Sequence, residues 1–358
     1  MFDIPALRLR NQRLTGEPFP SAVEAVRGLG PVQAQDYNAA LWALGQRTSG
    51  ATEASLNRLF DDGAILRTHV MRPTWHFVLP EDVRWLLALT GPRIRRMLVA
   101  RYRQLELDED QIARAKDAFA GALAGLHFMT RAELGQVLFD AGLAPDGQRL
   151  PHFLMAAELD GVIVSGPRRG KLFTYALLEE RVPSTPPMER TEAAVELASR
   201  YFGGHGPAQL QDFVWWSGLA IGAAKEALAA REPALEREVV EGKEYWLSTG
   251  TEPPPMAPVA HLLPNFDEYT VGYRDRADIL DPGDPLDSAM FSFGNVLSNV
   301  LVIDGQVRGA WRRSLAGAGV RVDVQVARSL NRAEILAVEK AALGLGCFLD
   351  CKLDLRLP

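Results

Sequence analysis

Residues 31–40 read PVQAQDYNAA, with Gln33 and Gln35 flanking one alanine two positions after Pro31. A carboxamide is too weak a base to make hydroxide from water. It can orient a water molecule and stabilise developing charge through hydrogen bonds. That chemistry suffices only when the leaving group already departs easily. The N-glycosidic bond of an N7-alkylated purine meets the condition, because alkylation makes the base cationic and it leaves without protonation. A site for such a bond has only to hold the lesion, keep a water near the sugar C1′ and exclude alternatives. Taken from the residues alone, a second reading stands beside this one, in which the two amides cap a turn.

What could aim both amides at one point? Pro31 disfavours a continuing helix. In an extended chain, residues two apart face the same side, whereas in a helix they diverge by about 200°. Asp36 is suited to cap the next helix, YNAALWALGQR, which puts the pair at a helix entry. Backbone N–H groups gather there and favour negative charge.

Further along, one pattern recurs. Segment 129–178 opens with a capping box, Thr130 and Glu133. The helix RAELGQVLFDAG follows, then a Gly/Pro turn, a second amphipathic helix around Leu150–Leu159 stopped by Gly161, and the strands VIVS and KLFTYAL joined by GPRRG. This order is that of a winged helix-turn-helix, whose second helix reads the major groove and whose hairpin is the wing. Residues 52–79 carry a similar order, with ILRTHVMRPTWHFVL as the hairpin. Residues 207–248 carry a third, with a turn at EGK. The expected fold class is α+β: three tandem winged-helix units plus a C-terminal β-rich domain. The expected boundaries are 1–104 with a connecting helix, 105–185, 186–255 and 256–358. Pro-rich linkers are read at 179–191 and 251–258.

Candidate phosphate contacts are Arg67, Arg72 and His76 on the first hairpin, Arg93 and Arg96 in the acid-free run TGPRIRRMLVARYRQ, and Arg168, Arg169 and Lys171 at the second hairpin tip. Cations at such positions gain through counterion release. They equally suit a solvated surface, and His69 and His76 equally suit a structural role. Trp215 and Trp216 in DFVWWSG are read as core rather than stacking residues.

The totals exclude several classes. With 39 basic against 45 acidic residues the net charge is −6, so nucleic-acid binding requires clustered cations with acid on other faces, such as ELDED (106–110) and DDG (61–63). The six histidines form no zinc-binding pattern, and no phosphate-binding glycine motif occurs. Cys347 and Cys351, without a histidine partner, are read as free thiols in a reducing compartment. No transmembrane run and no secretory leader is read. A composition of 47% hydrophobic and 23% charged residues is that of a folded globular chain of several domains.

Five stretches together resemble the AlkZ/YcaQ-like winged-helix DNA glycosylases, a bacterial family of alkylpurine and interstrand-crosslink repair enzymes. They are LRLRNQRL (7–14), VQAQD (32–36), ILRTHVMRPTWHFVLPEDVRWLL (65–87), DFVWWSGL (212–219) and LLPNFDEYTVGYRDR (262–276), spread over most of the chain. The resemblance implies tandem winged helices and a β-rich C-terminal domain around a DNA channel. The family signature is glutamine, an aliphatic residue, then glutamine or aspartate. It falls on Gln33, Ala34 and Gln35, with alanine a small version of the middle residue. Glutamine at the third position is similar to the crosslink-unhooking, self-resistance branch. Carried over, Gln35 positions water and Gln33 supports it or the sugar. Asp267, Tyr269, Asp275 and Arg276 become channel-lining or domain-locking groups, with a structural Asp–Arg pair as the alternative. The implied protein is a monofunctional glycosylase acting on alkylated or crosslinked double-stranded DNA. It is expected to be a monomer, cytoplasmic and nucleoid-associated, with no metal or organic cofactor and no membrane partner. The rival expectation is a non-enzymatic winged-helix regulator or architectural DNA binder.

Overall fold

A computed structural model describes residues 2–250, 258–280, 299–316 and 319–358. All but the last residue of the expected linker 251–258 lies outside the described residues. The chain mixes helix and sheet and divides into two compact units. One comprises Met1–Asn57, Val195–Trp216 and Ala224–Pro358; the other comprises Arg58–Ala194 and Ser217–Ala223. Among the described residues no helix is long and apolar enough to cross a membrane.

The first unit is built on a five-stranded sheet in the order Leu353–Arg356, Gly319–Val326, Gln306–Ala316, Val300–Ile303, Ala260–Leu263. All pairs are antiparallel except the first, which is parallel. A parallel pair requires a crossover, and the 18-residue helix Arg332–Leu349 supplies it. Phe348 on that helix meets Trp42 with ring centroids 5.1 Å apart. Trp42 in turn donates its indole N–H to the Leu262 carbonyl at 2.7 Å. Helix Tyr37–Arg47 is thereby held between sheet and crossover helix, and its Ala, Leu and Trp residues are buried almost all round. A helix apolar on every face is expected to be enclosed in this way. The same unit contains the hairpin Leu235–Val240 and Lys243–Ser248. Its two-residue loop, Glu241–Gly242, has positive φ at both positions, as does Asp304–Gly305 in the main sheet. That geometry matches the right-handed twist of the flanking strands and accounts for the E-G and D-G pairs in the sequence.

The second unit contains the 25-residue helix Pro80–Gln104, which starts with proline where no N–H is needed. Its Gly91 lies so close to helix Arg149–Leu159 that a Cβ would sit 3.3 Å from the Leu159 carbonyl. Helices Glu109–Leu123, Arg131–Asp140 and Arg149–Leu159 enclose Phe119, Leu134, Leu138 and Phe153, all fully buried. Strands Ile163–Ser165 and Thr174–Leu177 follow as an antiparallel hairpin, and Met129–Thr130 pairs with the second strand. The order anticipated for 129–178 is present, including the Thr130–Glu133 capping box. The second strand starts at Thr174 rather than Lys171. Residues 166–173 instead form a loop, closed by two Arg169–Leu172 backbone bonds of 2.8 and 3.1 Å. Strands Leu66–His69 and Trp75–Val78 form another antiparallel hairpin.

Candidate active site

The extended stretch at VQAQD is short. Val32 and Gln33 form a two-residue strand, and the chain bends at Gln35 and Asp36. Asp36 accepts a 3.1 Å hydrogen bond from the Ala39 N–H, the expected cap of helix Tyr37–Arg47. Gln33 is 8% exposed, Ala34 is fully buried and Gln35 is exposed. The buried middle position explains why an aliphatic residue belongs there. The strict alternation anticipated for an extended chain ends at the bend, because the helix cap turns the backbone immediately after Gln35.

What holds Gln33 is a buried carboxylate 235 residues away. The Gln33 N–H donates to Glu268 Oε1 at 2.7 Å. The other oxygen of Glu268 accepts from Trp216 Nε1 at 2.9 Å and faces His205 Nε2 at 3.1 Å. Glu268 is 1% exposed, and His205 and Trp216 are 0% exposed. Burial works against its ionisation. The His205 ring, the Gln33 N–H and the Trp216 indole together outweigh burial and hold the pKa at about 2. His205 stacks on Tyr201 with centroids 4.9 Å apart. Gly272 makes room for it, since a Cβ there would stand 2.9 Å from His205 Cδ2.

Beside Glu268 a second buried set fixes the backbone. Arg47 grips Asp267 with both terminal nitrogens, at 2.7 and 2.8 Å, and the pair is sealed from solvent. Arg47 also donates to Gln12 Oε1 at 2.7 Å. Gln12 donates to the Tyr273 hydroxyl at 3.0 Å, which donates to the His205 carbonyl at 2.6 Å. Arg8, wholly buried, lies 3.8 Å over the Tyr273 ring and pairs with Asp278 at 3.1 Å. Phe266, directly before Asp267, has φ +61°. A bulky residue adopts that region only when its surroundings compel it, and the locked Asp267 does so. The stretches 7–14, 32–36, 212–216 and 262–276 therefore converge on one polar cluster.

Asp267 lies in that cluster. Tyr269 is buried with its hydroxyl donating to the Gly305 carbonyl at 2.8 Å. Asp275 and Arg276 turn to different partners rather than to each other: Asp275 meets Lys243 at 2.8 Å, and Arg276 donates to the Thr270 carbonyl at 2.7 Å. Trp216 is core as expected, whereas Trp215 is 44% exposed, with its N–H on the Val271 carbonyl at 3.3 Å. Glu268, His205, Arg47, Gln12 and Arg8 were not singled out by the sequence. Glu268 stood between two residues that were, and its partners are too distant in the chain for any spacing to reveal.

The candidate phosphate contacts lie in the second unit. Arg93 and Arg96 are exposed on helix Pro80–Gln104, and Lys171 is exposed on its loop. Arg67 and Arg72 are partly exposed, with the Arg67 guanidinium 4.4 Å from the centre of the Trp75 ring. His76 is fully buried, its Nδ1 2.9 Å from the Thr74 carbonyl, so as it stands its ring is not presented to solvent. His69 is also buried, in contact with Glu158. Arg168 forms a bidentate pair with Asp61, at 3.0 and 2.8 Å, and Arg169 meets Glu133 at 2.7 Å. Asp61, in the DDG stretch expected on an outer face, thus sits against one hairpin arginine, and the capping-box residue Glu133 sits against the other. Cys347 and Cys351 are free thiols.

Comparison with known proteins gives a consistent result. Residues 26–348 match the family described as DNA glycosylase AlkZ-like. An interstrand DNA cross-link repair glycosylase from Streptomyces sahachiroi is 27% identical over 320 residues, covering 86% of each chain. The structure of the Streptomyces sahachiroi DNA glycosylase AlkZ superposes with a TM-score of 0.79 at 24% identity, covering 99% of this chain and 98% of that one. The likeness at that identity concerns the fold, and the family match carries the assignment: the chain belongs to the AlkZ-like family of DNA glycosylases.

Proposed function

We propose that this enzyme hydrolyses the N-glycosidic bond of N7-alkylated purines in double-stranded DNA, including purines tied into interstrand crosslinks, with Gln33 and Gln35 positioning the water. In the reaction the C1′–N bond breaks and its electron pair passes to the purine, cancelling the cationic charge. The water oxygen bonds to C1′ and its proton is lost to solvent, leaving a neutral base and an abasic sugar. The neutral amides need only orient the water and support the cationic sugar. The observation that carries this reading is the position of VQAQD at the capped entry of a buried helix, with Gln33 pinned from behind and Gln35 exposed. A crosslinked base is tethered to the opposite strand, so it is hydrolysed without the full extrusion used by base-flipping enzymes.

The wider reading treats segments 1–104, 105–185 and 186–255 as three winged-helix units and 256–358 as a β-rich domain. Arg67, Arg72, Arg93, Arg96, Arg168, Arg169 and Lys171 are its proposed backbone contacts, with His76 as a support of the first hairpin. Asp267, Tyr269, Asp275 and Arg276 act as locking groups. The reading further takes the protein to work as a monomer on nucleoid DNA in the cytoplasm. The relative from Streptomyces sahachiroi, named for interstrand DNA cross-link repair, supports crosslinks as a substrate.

The test uses the full chain on duplexes carrying either N7-methylguanine or a nitrogen-mustard crosslink between N7 atoms. Abasic sites are then revealed by alkali. Product is expected from both, with strand breaks only after alkali, because no lysine adjoins VQAQD to form a Schiff base. Absence of abasic sites from both substrates would contradict the reading.

A further inference from the structure

We propose that Glu268 is a positioning residue for the reaction, acting through the peptide N–H of Gln33. The inference rests on Gln33 belonging to the active site as read above and adds a residue to it. A carboxylate has two oxygens and no donor, and here they meet three groups at 2.7, 2.9 and 3.1 Å. Among the described residues Oε1 serves Gln33 alone, while Oε2 meets both Trp216 and His205. The division matters, because fixing a peptide N–H fixes the peptide plane and with it the direction of the following Cα–Cβ bond. The Gln33 side chain is thus aimed by a contact made behind it.

Glu268 is itself held from three sides. Its own residue opens the short helix Glu268–Val271, capped by Asp267, whose side chain accepts from the Tyr269 N–H at 2.9 Å. Asp267 is clamped by Arg47. Trp216 and His205 fix the carboxylate laterally, and both are fully buried. Among the described residues His205 Nδ1 has no hydrogen-bond partner, and the ring's other nitrogen faces Glu268. A solvent-free anion with three convergent partners is far more ordered than packing alone requires, and charge-assisted hydrogen bonds are the stiff ones.

The consequence is specific. Glutamine at 268 keeps the shape but has one accepting oxygen, and its NH2 group would face a donor. It cannot serve Gln33, Trp216 and His205 together, so the Gln33 peptide loses its fixed direction. Small misplacements at a reacting centre cost between about ten- and a hundredfold in rate.

The experiment measures single-turnover excision of N7-methylguanine, at saturating enzyme, by the full chain carrying Glu268→Gln, Gln33→Ala or both, with affinity for the same duplex measured alongside. Glu268→Gln is expected to slow excision by about tenfold or more with affinity within about twofold. The double variant is expected to be no slower than Gln33→Ala alone, because residues acting through one another are not additive. A merely structural role would instead make the two losses multiply. If Glu268→Gln does not fold, Trp216→Phe removes the indole donor together with the pyrrole ring while keeping an aromatic filler, and is expected to give a smaller loss, again absent in the Gln33→Ala background. Multiplying losses, or a wild-type rate in Glu268→Gln, would overturn the role of Glu268 while leaving the glutamine reading intact. A wild-type rate in Gln33→Ala would overturn both.

Discussion

Arg47 and Asp267 form a bidentate pair that solvent does not reach. Removing one partner of such a pair leaves a buried, unmatched charge, at a cost of about 3–5 kcal/mol. Arg47→Ala is therefore expected to lower unfolding free energy by about that amount in urea titration, and to loosen the Glu268 helix that Asp267 caps. A loss below about 1 kcal/mol, the usual yield of a surface pair, would mean that the clamp is not a structural keystone. This pair also marks the limit of what the sequence discloses at the scale of single residues. Asp267 stood out because it belongs to a motif, but Arg47 lies 220 positions away at the end of a helix with no charge pattern. Gln33 and Gln35 could be singled out as candidates because the pattern that marks them is local. The carboxylate behind Gln33 could not, because only the folded chain brings it there.

At the scale of elements, local signals translated well. Asp36 and Thr130 cap the helices they precede because capping depends on the next three residues only. The hairpin between Ile163–Ser165 and Thr174–Leu177 was legible as a strand pair, but its loop was not. The side chains that shape that loop, Asp61 and Glu133, belong to other helices. Glu133 is held at about 2 by the Thr130 backbone N–H first, with Arg169 and the Thr130 hydroxyl adding to it. These carboxylates offset the hairpin charge. Asp61→Asn and Glu133→Gln are thus expected to strengthen binding to undamaged duplex. Each is expected to steepen the dependence of log K on log salt by about one unit, as one more phosphate contact does. Fluorescence anisotropy across a salt series measures both. Unchanged slopes would remove the second hairpin from the proposed DNA contacts.

At the scale of the molecule, a half-buried histidine and a buried carboxylate tie stability to pH in the same direction. His261 is pushed down to about 3 by burial of its ring, with the Arg47 charge adding to it, and its buried Nε2 has no partner among the described residues. Its folded pKa lies below the ordinary value of 6.5, so the unfolded chain binds the proton first. Its contribution is complete above pH 6.5 and falls as the pH drops toward about 3. Glu268 has a folded pKa below the ordinary 4.5, so its contribution is present above 4.5 and is lost as pH falls toward about 2. Unfolding free energy is expected to decline from pH 6.5 downward, by up to about 1.4 kcal/mol per pH unit for each group, and more steeply once Glu268 joins below 4.5. Urea titrations at pH 7.5, 5.5, 4.5 and 3.5 measure this, and His261→Asn should flatten the upper part of the decline. The mixed α and β character was legible from periodicity and turn residues. The way one compact unit draws on three separate stretches of chain was not, because nothing in composition links residues 1–57 to 224–358.

The central claim is that two neutral amides carry the chemistry, and it is met most directly by Gln35→Ala. Single-turnover excision of N7-methylguanine and affinity for the same duplex are to be measured on wild type and variant together. The account predicts a rate loss of about a hundredfold with affinity nearly unchanged. Excision by Gln35→Ala at the wild-type rate would contradict it.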